Sequence, residues 1–156
     1  MKQFRKKRVL RRALLVATAM LAALSAQASG DSLVSEREGK VVVVDFWASW
    51  CVPCRRSFPW MNDMIKKYAD TGLVIVAVNL DKDRAAADAF LAEFPADFEI
   101  RFDPDASLAR EFGVEAMPNS FVYGRDGEIV ARHLGFKVKK QEEYEAVLVK
   151  ALGETP

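Results

Sequence analysis

Residues 41–60 read VVVVDFWASWCVPCRRSFPW, and the rest of the chain is arranged around them. Val41–Trp47 is a continuous apolar run broken by one acid, the pattern of a strand covered on both faces. From Val52 to about Tyr68, the residues Phe58, Met61, Ile65 and Tyr68 recur at helical spacing, and Gly72 follows the end. Pro59 sits inside that helix, removes one backbone donor and predicts a kink. Between strand and helix lie Cys51 and Cys54, the chain's two cysteines.

Their position points to chemistry. Cys51 falls at the strand-to-helix turn, where unpaired N–H groups and the helix dipole favour a thiolate, the nucleophilic form. Cys54, three residues on, is within reach of a mixed disulfide formed on Cys51. Pro53 suits a first helical turn, where its missing donor is not needed. Arg55 and Arg56 add positive charge that solvent screens. A structural staple is a competing use, but a loop of about four residues gives only roughly 2 kcal/mol in the chain-entropy picture. Half of a zinc site is another, and zinc wants four ligands where the chain offers two cysteines and the distant His133, so no metal is expected. Two buried structural thiols are a third. His133 reads as a solvated surface residue.

Asp45 is the second informative residue. A carboxylate in an otherwise apolar strand is costly to bury ionised, so its pKa is expected to rise. It shares a face with Trp47, and a buried acid behind the cysteine pair could accept the proton of Cys54 as that sulfur attacks. The alternative, an edge strand with Asp45 in solvent, is opposed by the apolar flanks.

Working outward, Leu73–Leu80 (LVIVAVNL) is a second buried strand. Asp81 or Asp83 can cap a helix from about Arg84 to Phe94, stopped by Pro95. Phe98–Phe102 is a short strand, and Pro104 or Asp105 opens a helix to Phe112. Ser120–Tyr123 and Glu128–Leu134 form a hairpin across Gly124–Gly127. A last helix, Lys139–Leu152, carries Tyr144, Val147, Leu148 and Ala151 on one face. Helix crossovers make the first strands parallel, and the hairpin adds an antiparallel edge. The result is an α/β domain over residues 41–153, a three-layer α/β/α sandwich on a mixed sheet.

Residues 1–28 hold Lys2, Arg5, Lys6, Lys7, Arg8, Arg11 and Arg12 and no acid. They continue into the uncharged run Ala13–Leu24 and the small-x-small site Ala26-Gln27-Ala28, the order of a secretory signal peptide. At about 1.5 Å per residue that run spans roughly 18 Å, short of a hydrocarbon core of about 30 Å. An uncleaved membrane anchor is the alternative. Residues 29–40 read as a short polar segment with one helical turn. Of the 23 basic side chains, the seven named leave 16 after position 28 against 22 acids, a net charge of −6. That balance argues against nucleic acid or an anionic membrane surface as partner.

Val44–Cys54, VDFWASWCVPC, closely resembles the thioredoxin active-site segment, including both tryptophans and the acid six residues before the first cysteine. Pro59 matches the proline that kinks that family's active-site helix. Gly113–Pro118, GVEAMP, resembles the loop whose proline is cis and faces the cysteines. The stretch from Asn79 to Pro118 is longer than in plain thioredoxin by a helix and a strand. With the export signal, this insertion resembles the TlpA/ResA/CcmG-like extracytoplasmic thiol-disulfide proteins over about Gly39 to Leu152. The chain departs from that group in its short segment before Val41, in Asp45 where many members carry Asn, and in Val78 where thioredoxin has a lysine.

The resemblance implies a thioredoxin-like fold, a cis Met117-Pro118 bond and a substrate surface of Trp50, Val52, Pro53, Met117 and Pro118. The backbone of Met117 would pair with an extended client peptide. It implies a protein-disulfide reductase in which Cys51 attacks, Cys54 resolves and Asp45 assists. Val52-Pro53 lacks the histidine of strongly oxidising members, which favours a potential nearer roughly −270 mV than −120 mV. It implies disulfide-bearing protein clients, among them apocytochrome c thiols and cysteines of copper-site assembly proteins, and a membrane electron donor. A monomer without cofactor, located in the periplasm or otherwise outside the cytoplasm, is expected. An oxidase or isomerase of the same fold is the first rival and a metal-delivery module the second. A peroxiredoxin-type site is disfavoured because Ala48 stands where such sites place Thr or Ser.

Overall fold

Seven residues, Val41–Trp47, form the central strand β1 of a five-stranded sheet, and every one of them is buried. The computed structural model describes residues 30–153, so the expected signal segment lies outside the described residues. The elements follow in the order α1 (Gly30–Ser35), β1, α2 (Cys54–Tyr68), β2 (Leu73–Asn79), α3 (Arg84–Glu93) and β3 (Glu99–Phe102). Then come α4 (Ser107–Glu111), β4 (Asn119–Tyr123), β5 (Ile129–Leu134), a 3-10 turn at Val138–Lys140, and α5 (Gln141–Leu152). The sheet order is β3-β2-β1-β4-β5. β1, β2 and β3 run parallel, while β4 pairs antiparallel with β1 and β5 antiparallel with β4. This is the expected mixed sheet, with a crossover helix making each parallel step.

The period-two alternation of β1 sends its side chains into two cores. Val41, Val43 and Trp47 meet α2, α3 and α5 through Phe58, Met61, Phe90 and Leu148. Val42, Val44 and Phe46 meet Leu33 of α1 and Ala109 of α4. The sheet therefore has helices on both sides, the three-layer sandwich read from the sequence. Phe58 is the hub of the first core: its ring lies 4.9 Å from Trp47, 5.0 Å from Phe90 and 5.3 Å from Phe98.

Several boundaries depart from the expectations. α2 starts at Cys54 rather than Val52, because Val52 and Pro53 form a turn ahead of it. Its inner face takes Met64 in full, while Ile65 and Tyr68 are half-buried. The helix expected from Pro104 or Asp105 begins only at Ser107. Its N-cap is Ala106 at φ 55°, and the Asp103 carboxylate reaches past it to accept from Ser107 N and Oγ and from Ala109 N. α3 is capped by Asp83, whose side chain accepts from Ala85 N. The segment before β1 is more than a tail, since Leu33 is buried against the sheet.

Removing the hub tests this packing. Phe58→Ala is expected to lower unfolding stability by about 3–5 kcal/mol, the range for a fully buried aromatic. Urea denaturation reads it directly, and a loss below about 1 kcal/mol would contradict the packing described.

Candidate active site

Consecutive turns carry the chain from the end of β1 to α2. Cys51 N donates to Ala48 O at 3.0 Å and Cys54 N donates to Cys51 O at 3.1 Å. Cys51 thus stands just ahead of the helix and Cys54 is its first residue. The two sulfurs are joined at 2.02 Å, with Cα atoms 5.3 Å apart. Cys54 is fully buried and Cys51 is 4% exposed, so of the pair only Cys51 touches solvent. Around it Trp50 is 69% and Val52 62% exposed, an apolar rim in a protein that otherwise buries its aromatics well. Pro53 is half-buried between them.

The loop carrying Ser49 and Trp50 is anchored by an acid whose role the sequence did not reveal. Asp81 accepts from Ser49 N at 2.8 Å, from Ser49 Oγ at 2.9 Å and from Asn79 Nδ2 at 2.8 Å. The sequence offered Asp81 only as a helix cap. Trp47 pairs with Asn79, and the same parallel offset carried two residues further sets Ser49 opposite Asp81. The signal was there, but it becomes legible only once the register is fixed.

The Met117-Pro118 bond is cis. Phe46 pairs with Asn119, and one further step along this antiparallel register sets Pro118 beside Trp47. Met117 packs on the core cluster that contains Cys51 and Cys54, and Pro118 is buried. Arg132 on β5 holds this loop at both ends. Its guanidinium donates to Gly113 O at 2.8 Å and to Asn119 Oδ1 at 3.2 Å, and stacks over Phe121 at 4.8 Å. Sequence reasoning missed Arg132, since a charged residue on an edge strand carries no mark of what it bridges.

Asp45 lies on the α2 side of the sheet, 1% exposed. Ser120 Oγ donates to its Oδ1 at 2.5 Å, and Oδ2 has no hydrogen-bonding partner among the described residues. Burial pushes its pKa up to about 7, against a smaller downward pull from Ser120. The expected edge-strand alternative for Asp45 is excluded, because β1 is the middle strand. His133 requires a correction. It is a half-buried ring 4.8 Å from Tyr144, with a buried Nε2, because α5 lies across this part of β5. Among the described residues, no three His, Cys, Asp or Glu side chains gather as a metal-ligand set.

The Redoxin family profile matches residues 19–148. The chain belongs to the Redoxin family. It is similar to a crystal structure from Chlorobium tepidum assigned as the thiol:disulfide interchange protein DsbE. The two are 48% identical with a TM-score of 0.74, over 76% of this chain and 84% of that one. It is also 32% identical over 108 residues to the thiol-disulfide oxidoreductase ResA of Bacillus thuringiensis subsp. konkukian. That match covers 69% of this chain and 62% of the relative, so the chain spans less than two thirds of the curated relative's length. StoA of Bacillus subtilis, 24% identical over 70% of this chain and 83% of that one, shares the fold at a TM-score of 0.61. This Redoxin is thioredoxin-like and of the TlpA/ResA/CcmG type, as its motifs implied.

The buried acid makes stability depend on pH. Between the ordinary 3.8 and about 7, native Asp45 holds a proton that the unfolded chain lacks. Its contribution is therefore present in full below about pH 4 and is lost as pH rises through 7, about 4 kcal/mol in all. Asp45→Asn is expected to flatten this dependence and to unfold at higher urea than the parent at pH 8. Parallel pH profiles for the two oxidised proteins would contradict the assignment.

Proposed function

We propose that the protein is an exported thiol-disulfide oxidoreductase that reduces disulfides in client proteins. The observation that carries this reading is the asymmetric Cys51–Cys54 disulfide, one sulfur at an apolar rim and the other sealed, beside the cis-proline loop. A client disulfide is attacked by the Cys51 thiolate. The client's second sulfur leaves, and the Cys54 sulfur then displaces the client from Cys51 and restores the intramolecular bridge. Asp45 takes the proton of Cys54 during that second step, a task suited to an acid that titrates near neutrality. Trp50, Val52 and Pro53 offer one wall for the client, and Met117 with Pro118 offers the other. An extended client strand would pair with the Met117 backbone.

The reducing direction is supported by Val52-Pro53, which places no imidazolium beside the Cys51 thiolate. Export is supported by the basic, apolar and small-residue pattern of residues 1–28. Among the described residues no helix is long and apolar enough to cross a membrane. A membrane protein that passes electrons through thiols would then re-reduce the pair. Cytochrome c maturation and reduction of metal-site cysteines are the client roles this reading favours. An oxidase or isomerase is the second reading, favoured if the reduction potential lies above about −180 mV.

Cys54→Ala, expressed with its own N-terminal segment, is expected to accumulate client proteins as mixed disulfides on Cys51, detected after acid quench and non-reducing electrophoresis. Cys51→Ala is expected to trap none. If Cys54→Ala traps nothing and the parent reduces no protein disulfide in vitro, the reading fails.

A further inference from the structure

The cross-strand row that holds Asp45 continues past Ser120. In register, Asp45 on β1 pairs with Ser120 on β4, and Ser120 pairs with His133 on β5. Side chains at directly paired positions project from the same face of a sheet, so the three stand in one line toward the α2 and α5 layer. All three line a single cavity, closed by Ser57 and Trp60 of α2 and by Tyr144 of α5. Its volume is about 20 Å³, enough for one water. Two polar atoms at the cavity are buried without a hydrogen-bonding partner among the described residues: Asp45 Oδ2 and His133 Nε2. Leaving such atoms unpaired is costly, and a site that is polar and roomy enough for a water is where the cost is relieved.

We propose that Asp45, one buried water and His133 form a proton relay joining the resolving cysteine to solvent. The proposal rests on the thiol-disulfide exchange reading of the cysteine pair. In the resolving step the Cys54 thiol gives its proton to the Asp45 carboxylate and its sulfur bonds to Cys51. The bond between Cys51 and the client breaks, and the client leaves as a thiolate with the electron pair and is protonated from solvent. Asp45 now holds a proton inside a site that solvent does not reach. The water passes it to Nε2 of His133, whose ring keeps contact with solvent, and the carboxylate is restored. One disulfide forms as another breaks, and one proton enters the solvent as another leaves it.

The ionisable groups around the relay are few. α2 contributes Cys54, packed in the same core as Val43 and Trp47, and the residue one turn on, Ser57, donates to Cys54 O at 3.1 Å. α5 contributes Tyr144, and Lys140 precedes that helix. Burial, with the Lys140 charge second, holds the His133 imidazole below its ordinary 6.5, while Asp45 is raised to about 7.

The test uses glutathione disulfide as a defined oxidant of the reduced protein, followed by tryptophan fluorescence in rapid mixing. The first phase reports attack by Cys51 and the second reports resolution by Cys54. His133→Phe keeps a ring against Tyr144, and His133→Gln keeps a hydrogen-bonding group, but neither can take up a proton. Both are expected to leave the first phase unchanged. Both should slow the second roughly tenfold near pH 7, below the full effect of a positioned acid or base, and remove an inflection from its pH profile. Carboxyl carbon NMR of Asp45 supplies an activity-independent reading, with its midpoint expected to move by about half a unit or more in His133→Gln. A second phase that keeps its rate and pH profile in both variants, or an Asp45 midpoint that does not move, overturns the relay. A parent protein that glutathione disulfide does not oxidise at all overturns the oxidoreductase reading instead, and the Asp45 titration then still decides the link to His133.

Discussion

β1 is hydrogen-bonded along both edges and covered on both faces, and this double enclosure sets the position of the whole site. A strand so enclosed cannot slip by one residue without turning Trp47 into the wrong core and Phe46 into the other. Fixing β1 fixes where the chain emerges, and the six residues Ala48–Pro53 then have only a short path to the start of α2. Cys51 and Cys54 sit where that path ends. Their geometry is less a property of the CVPC sequence than of the strand that delivers it.

The same enclosure explains the electrostatics. The same burial cuts a mid-strand carboxyl off from bulk solvent, so desolvation raises the Asp45 pKa to about 7. Ser120 moderates that cost with one hydrogen bond and leaves the second oxygen unpaired. By contrast Asp81, also buried, accepts bonds from Ser49 and Asn79 and serves as a bracket. Two buried acids thus differ in role because Asp81 accepts from three donors and Asp45 from one, Ser120. Charge type alone does not distinguish them.

What the sequence disclosed follows from the range over which each interaction acts. β1, β2 and α2 announce themselves through periodicity, which is local, and the cysteine pair through spacing within one turn. Asp45 was legible because an acid among valines violates its own surroundings. Asp81, Arg132 and His133 were not, since each depends on residues many positions away: Ser49, Gly113 and Tyr144 respectively. The start of α4 was misplaced for a related reason. Pro104 and Asp105 both carry helix-opening chemistry, but Asp103 reaches over them to Ser107 and Ala109 and wins. Met117-Pro118 lies between these cases, because its cis geometry was carried by resemblance rather than by any property of the dipeptide.

At the far end of the sheet, the guanidinium of Arg125 donates to three carbonyls, those of Gly39, Thr71 and Leu152. It thereby fastens the lead-in to β1, the turn before β2 and the last turn of α5 at one point. From there to the end of β1 is about 20 Å at the ordinary rise of a strand. The domain has a closed pole and an open one, and the polypeptide enters at the closed pole. β1 runs from the first pole to the second and delivers the cysteine pair at the open one. Orientation toward a partner is built into the direction in which β1 runs.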